Sequence, residues 1–295
     1  MIRNLLIIGC GLIGGSFAQA MRVAANANGE VTIITAYELN VAQASTALEL
    51  GVVDEISSEL GDSAALADFI FIATPVATIP NILARLAAVV SADCVITDAG
   101  STKAQIMEQA RALMGDKFKQ FVPGHPIAGR ETSGVGASDA NLFNAKNIVL
   151  TPHSDTGDAQ LTRVSEAWAR CGATVHTMTA TQHDEIFAAV SHLPHMLAFA
   201  LVDEIAARDN AAVFFNYAAS GFRDFTRIAG SSPTMWRDIA LQNKAALQAE
   251  LTAFQAKIAM VQTMLSQPEA LAGADLHAMM SRAQQARLAW QALQG

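Results

Sequence analysis

The sequence predicts an α/β half followed by an all-helical half. Short apolar runs alternate with helical patterns as far as about residue 178, the mark of βαβ units and a parallel sheet. A glycine cluster follows directly on the first apolar run, and beyond Thr181 the strand patterns stop. In order along the chain, Leu5-Leu6-Ile7-Ile8 has the length and continuity of a buried strand, and a helix is expected from about Gly14 to Ala24. Asn26 to Gly29 is a turn, Val31 to Tyr37 a second strand, and Val41 to Leu50 a helix that stops at Gly51. Phe69 to Ile72 is a strand closed by Thr74-Pro75, ahead of a helix over Ile79 to Ala88. Cys94 to Thr97 leads through Asp98-Ala99-Gly100-Ser101-Thr102-Lys103 into a helix ending at Leu113. Phe121-Val122, Ile148 to Leu150 and Thr174 to Met178 are further strands, the last two joined by a helix over Asp158 to Cys171. Residues 181–209, 211–220, 233–266 and 274–293 read as helix, broken at Gly221, Gly230 and Pro233. The expected domains are 1–178 and 179–295, and the long apolar helical half is expected to bury surface in a homodimer.

Composition narrows the function. Nineteen Lys and Arg against 27 Asp and Glu leave a net charge of −8 with no basic cluster, which argues against a nucleic-acid partner. At 52% apolar and 16% charged the chain can build large cores. Cys10, Cys94 and Cys171 lack metal spacing and read as reduced thiols of a cytoplasmic protein. The stretch before Cys10 is too short for an export signal. Ser191, His192, Pro194, His195 and Asp203 interrupt the apolar segment Ile186 to Ala206, so no membrane span is expected there.

Gly9-Cys10-Gly11-Leu12-Ile13-Gly14 fits the G-x-G-x-x-G pattern of a Rossmann dinucleotide-binding half, and it lies where that pattern has meaning, between a strand and a helix. The first glycine makes the turn, the second admits the pyrophosphate, the third lets helix and strand close up, and the helix N-terminus favours the anion. Glu38 ends the second strand, placed to accept from the adenosine ribose hydroxyls. Its charge opposes a 2′-phosphate, and Leu39, Asn40 and Val41 supply no cation for one, so NAD is expected over NADP. The expected cofactor-binding residues are Gly9, Gly11, Leu12, Ile13, Gly14, Glu38, Thr74 and Pro75.

A dehydrogenase also needs a base for the hydroxyl proton and an anchor for its substrate. His125, just after a strand and framed by Pro123, Gly124, Pro126 and Gly129, is the leading base. Ser101 and Thr102 follow another strand end; either they face the same crevice or Ser101 caps a helix. His192 and His195 share a helix face as substrate contacts or buried structural histidines, without the third ligand a metal would need. Arg223, Arg227 and Arg237 form a block suited to an anionic substrate, or to pairing with Asp224 and Asp238.

Together with Ser191-His192-Leu193-Pro194-His195, Thr226-Arg227-Ile228-Ala229 and Met235-Trp236-Arg237-Asp238, these motifs closely resemble the prephenate dehydrogenase family, also called cyclohexadienyl or arogenate dehydrogenases. The resemblance implies a Rossmann domain followed by an all-α dimerisation domain. It also implies oxidative decarboxylation of prephenate to 4-hydroxyphenylpyruvate, or of arogenate to tyrosine, with hydride passing to NAD. It gives His125 the proton-accepting role beside Ser101, Arg227 the substrate's side-chain carboxylate, and His192, His195 and Trp236 places along the substrate pocket, where Thr102 is expected from its position after a strand end. Substrate choice stays open: Glu131 would favour arogenate and Arg130 the opposite, while the segment from His125 to Glu131 resembles broad-specificity members. The alternatives are a β-hydroxyacid or imine dehydrogenase, which leaves the histidines and the arginine block unexplained, and a non-catalytic NAD sensor, which has no need of His125.

Overall fold

The computed structural model describes residues 1–130 and 132–293, which form two compact units, Met1–Lys244 and a second from Ala245 onward. The strands β1 (Asn4–Ile8), β2 (Ile33–Tyr37), β3 (Glu55–Ile56), β4 (Phe69–Ile72), β5 (Val95–Asp98) and β6 (Phe121–Val122) make one parallel sheet in the order β3-β2-β1-β4-β5-β6. Alternation along each strand feeds two cores. Leu5, Ile7, Phe69, Phe71 and Val95 face one side, and Leu6, Ile8, Ile70, Ile72 and Ile96 the other.

The helices α1 (Leu12–Ala27), α2 (Val41–Glu49), α3 (Leu60–Leu66), α4 (Ile79–Ala87), α5 (Ala104–Met114) and α6 (Asp158–Arg170) link and cover these strands. On the first side, Phe17 of α1 and Trp168 of α6 meet at 4.9 Å, and Trp168 packs edge-on to Phe71 and Phe143. On the second side, Leu83 and Leu86 of α4 and Ile106 and Ala110 of α5 close the core. The order reverses between β1 and β4, and a parallel sheet takes its ligands at the carboxyl ends beside such a reversal.

A second sheet joins β7 (Gly124–Pro126), β8 (Asn147–Leu150) and β9 (Thr174–Thr177), with β7 antiparallel and β9 parallel to β8. His125, expected just after a strand, follows β6 and itself lies within β7, opposite Val149. Its segment lacks any apolar alternation and carries a proline, tolerated because β7 is an edge strand. The elements β3 and α3 also went unread, being too short to show a period.

After Thr177 the described residues are helical: α7 (Ala180–Phe187), α8 (Leu193–Ala206), α9 (Ala211–Asn216), α10 (Ser220–Thr226) and α11 (Pro233–Gln242). Trp236 and Ile239 of α11 join the second core of the sheet half. The single helix expected over 233–266 is interrupted at Asn243, before α12 (Lys244–Leu265), and α13 (Glu269–Ala292) completes the second unit. A continuous helix runs from Ala180 to Ala206, and within it Ala188–His192 forms a π turn whose end is marked by Leu193 N–H bonding to Ala188 O. Pro194 supplies no N–H at this point, and the widened turn absorbs the lost bond. By length and composition this helix could cross a membrane. Its buried Asp184, however, accepts hydrogen bonds from the start of α5, the contact of a helix packed in a protein core.

Candidate active site

Each glycine of the loop after β1 is used differently. Gly9 holds φ +89°, and a Cβ there would lie 2.8 Å from Ala73 O and from Thr74 Cγ2. At Gly14 a Cβ would lie 2.1 Å from Gly9 O, so only glycine lets α1 close onto the strand end. At Gly11 a Cβ meets nothing within 4 Å, which leaves an open approach to the backbone. Leu12 and Ile13 form the first turn of α1. Glu38 is locked from both sides: Cys10 N–H donates to Oε2 and Asn40 N–H to Oε1, each at 2.8 Å. Each oxygen keeps a lone pair for a ribose hydroxyl. Thr74, Pro75, Gly9, Gly11 and Glu38 line a cleft of about 450 Å³ that fits the adenosine end of a dinucleotide.

At the end of β5 the chain buries a full ion pair. Lys103 Nζ contacts Asp98 Oδ2, both side chains being inaccessible, and also donates to Gly124 O at 2.8 Å. Asp98 in turn accepts from Gly100 N–H at 2.8 Å and Gly124 N–H at 3.0 Å. The pair thus clamps the loop after β5 to the residue before His125. Burial lowers the Lys103 ammonium below its ordinary range, and Asp98 opposes that shift.

From His125 a relay runs inward. Its Nδ1 lies 2.8 Å from Nε2 of His183, and His183 Nδ1 lies 2.7 Å from Asp184 Oδ1. Asp184 also accepts from Lys103 N–H and Ala104 N–H, each at 2.8 Å, at the start of α5. Acceptor-only Asp184 forces the proton onto His183 Nδ1, so His183 Nε2 accepts from His125 Nδ1–H, and His125 Nε2 is left as a lone pair. Desolvation, reinforced by His183, holds His125 well below the ordinary histidine value, so it is a neutral base at neutral pH.

Asn243 ties the helical residues to this relay, donating to Asp184 O at 2.7 Å and to His192 Nδ1 at 3.1 Å. Burial holds His192 at about 4, and Ser101's backbone hydrogen bond opposes that shift. His195 donates through Nδ1 to Ser191 O at 2.8 Å and stacks on Trp236 with ring centroids 3.5 Å apart. Burial lowers His195 too, and the charge of Arg227 adds to that. Trp236 is buried, and its indole N–H has no partner among the described residues.

Of the remaining expected site residues, Ser101 is half-buried at the β5 end, whereas Thr102 is fully buried and donates to Gln242 Oε1 at 2.7 Å. Arg227 is exposed at the end of α10, and Arg237 pairs with Asp238 at 2.7 Å. Arg130 pairs with Asp139, and Glu131 lies outside the described residues. His183, Asp184, Asn243 and Lys103 were not read as site residues from sequence. The signal available was the adjacent His183-Asp184 pair on an amphipathic helix start, opened by the Thr179–Gln182 capping box. Among the described residues no cluster of His, Cys, Asp and Glu has metal-binding geometry. The three cysteines are free and buried; burial raises all three thiols, Cys10 and Cys94 to about 12, so they are poor nucleophiles.

Two family models match the chain: the prephenate dehydrogenase nucleotide-binding domain over residues 18–177, and the prephenate dehydrogenase dimerization domain over 179–282. The cyclohexadienyl dehydrogenase of Zymomonas mobilis is 30% identical over 98% of this chain and 96% of its own length. Among solved structures, prephenate dehydrogenase from Aquifex aeolicus, in complex with hydroxyphenyl propionate and NAD+, superposes with TM-score 0.86. It is 36% identical over 96% of this chain and 98% of that one. Arogenate dehydrogenase from Synechocystis superposes with TM-score 0.80, at 28% identity over 97% of this chain and 99% of that one.

Proposed function

The chain belongs to the prephenate dehydrogenase family, and from that premise we propose how its own residues carry out an NAD-dependent oxidative decarboxylation of prephenate, arogenate or both. The observation that carries the reading is the Asp184–His183–His125 relay, which leaves a neutral, lone-pair Nε2 on β7 beside the crevice at the sheet's carboxyl ends. Gly9, Gly11, Leu12, Ile13, Gly14, Glu38, Thr74 and Pro75 hold the dinucleotide. When bound, NAD supplies the hydride acceptor.

His125 is the catalytic base. As the hydroxyl-bearing ring carbon is oxidised, the hydroxyl proton passes to His125 Nε2. A weak base suffices, because the oxygen becomes strongly acidic as its carbon turns into a carbonyl. Loss of CO2 leaves an electron pair that makes the ring aromatic. The ring oxygen then takes back the proton from His125, which ends neutral, as it began. Asp184, acting through His183, stabilises the transient charge on His125. Ser101 borders the base at the β5 end, and Arg227 anchors a substrate carboxylate in a pocket bordered by His192, His195 and Trp236.

The functional division into 1–178 for the cofactor and 179–295 for substrate and dimerisation belongs to the same reading. So does a homodimer working in the cytoplasm. Val213, Phe214 and Phe215 are exposed on α9, and Leu251, Phe254 and Ile258 are exposed on one face of α12, surfaces of the kind a second copy covers.

The test is NAD reduction followed with prephenate and with arogenate, for the unaltered chain and for His125→Asn. The variant is expected to keep NAD affinity and lose turnover by about a hundredfold or more. Near-normal turnover would remove His125 from the mechanism. No turnover by the unaltered chain with either substrate would favour the NAD sensor.

A further inference from the structure

The adenosine cleft holds a charge that the residues after Glu38 do not announce. Among the described residues lining it, Glu38 is the one carboxylate and Arg85 the one cation. Arg85 comes from α4. Thr78, Asn81, Ile82 and Arg85 are spaced i, i+3, i+4 and i+7, so one stripe at the start of and along that helix faces the cleft. The Arg85 guanidinium lies 5.6 Å from the centre of the Tyr37 ring, and Tyr37 directly precedes Glu38. The cation therefore stands at the mouth where Glu38 meets a ribose, and it is exposed.

We propose that Arg85 is a cofactor-specificity residue: it gives the cleft a latent affinity for a 2′-phosphorylated adenosine, which the carboxylate of Glu38 masks. The inference rests on the reading that this cleft takes the adenosine end of a dinucleotide. Preference for NAD then lies in one side chain. Glu38, fixed by the N–H groups of Cys10 and Asn40, accepts from ribose hydroxyls and repels a phosphate on the 2′-oxygen. With that charge gone, a guanidinium suited to phosphate is already in place, and no arginine need be added after β2.

The experiment is calorimetric titration of the full chain with adenosine 5′-monophosphate and with adenosine 2′,5′-bisphosphate. The two differ only in the 2′-phosphate. For Glu38→Gln, affinity for the bisphosphate relative to the monophosphate is expected to rise about tenfold or more. In Glu38→Gln/Arg85→Ala that gain is expected to vanish. Arg85→Ala alone is expected to weaken the bisphosphate and leave the monophosphate unchanged, a result that stands even if the Glu38 variants fold poorly. The proposal is overturned if the double variant keeps the gain, or if Glu38→Gln produces none. Equal weakening of both nucleotides by Arg85→Ala would also overturn it, placing the guanidinium on the adenine or the 5′-phosphate. Failure of the unaltered chain to bind the monophosphate at all would instead overturn the dinucleotide reading beneath it.

Discussion

Because Asp184 accepts from Lys103 N–H, Ala104 N–H and His183 at once, its replacement by asparagine changes more than a charge. Oδ1 takes both Lys103 N–H and His183, and Oδ2 takes Ala104 N–H, so an amide cannot serve all three: its NH2 opposes either Ala104 N–H or both Lys103 N–H and His183 Nδ1. Either way the negative charge that stabilises protonated His125 through His183 is lost. For Asp184→Asn we expect NAD affinity to be retained and kcat to fall about 10²–10⁴-fold; unchanged kcat would show that His125 is set by other contacts. Lys103 calls for a different measurement. Lys103→Met would leave Asp98 buried without its counter-charge, and a loss of about 3–5 kcal/mol in denaturant unfolding is expected. A loss below about 1 kcal/mol would mean that the Gly100 and Gly124 N–H groups already satisfy that carboxylate.

At the scale of elements, the glycine loop separates stability from binding. Gly14→Ala forces a Cβ against Gly9 O, so it should cost about 1–3 kcal/mol in thermal or denaturant unfolding. Gly11→Ala meets open space and holds φ −82°, so it should keep full stability yet weaken NAD binding. A Gly11→Ala variant with unaltered NAD affinity would contradict the assigned approach of the pyrophosphate. The glycine loop, Glu38 and the main strands were legible in the sequence because their logic is local: a buried strand, a turn, a helix start. The relay was not, since the bonds that make the adjacent His183-Asp184 pair part of a site join residues 58 and 81 positions apart in the chain. Thr102 shows the same limit, its hydroxyl being bound to a residue 140 positions away.

For the molecule as a whole, the histidine cluster sets the acid limit. Burial holds His125, His183, His192 and His195 below the ordinary 6.5, His192 at about 4. Below about 6.5 the unfolded chain binds protons that the folded chain refuses, so unfolding gains and stability falls as pH drops from about 6.5 toward 4. Above about pH 7 both states hold these groups neutral, and their contribution is flat. Urea midpoints measured across that range should follow this course, and a constant midpoint between pH 7 and 5 would mean the cluster charges without unfolding.

The π turn at Ala188–His192 also works as a phase setting. Successive residues of an α-helix are about 100° apart. A turn closed from i to i+5 takes in one more residue than one closed from i to i+4; were the same residues wound as regular α-helix, everything after the turn would be rotated by about that angle. His195 would then leave the face it shares with Trp236, although every side chain of α8 would be unchanged. The two histidine-bearing stretches of this helix are thus kept in register by one wide turn, and rewinding that turn without shortening it would be felt as misalignment of the pocket's walls.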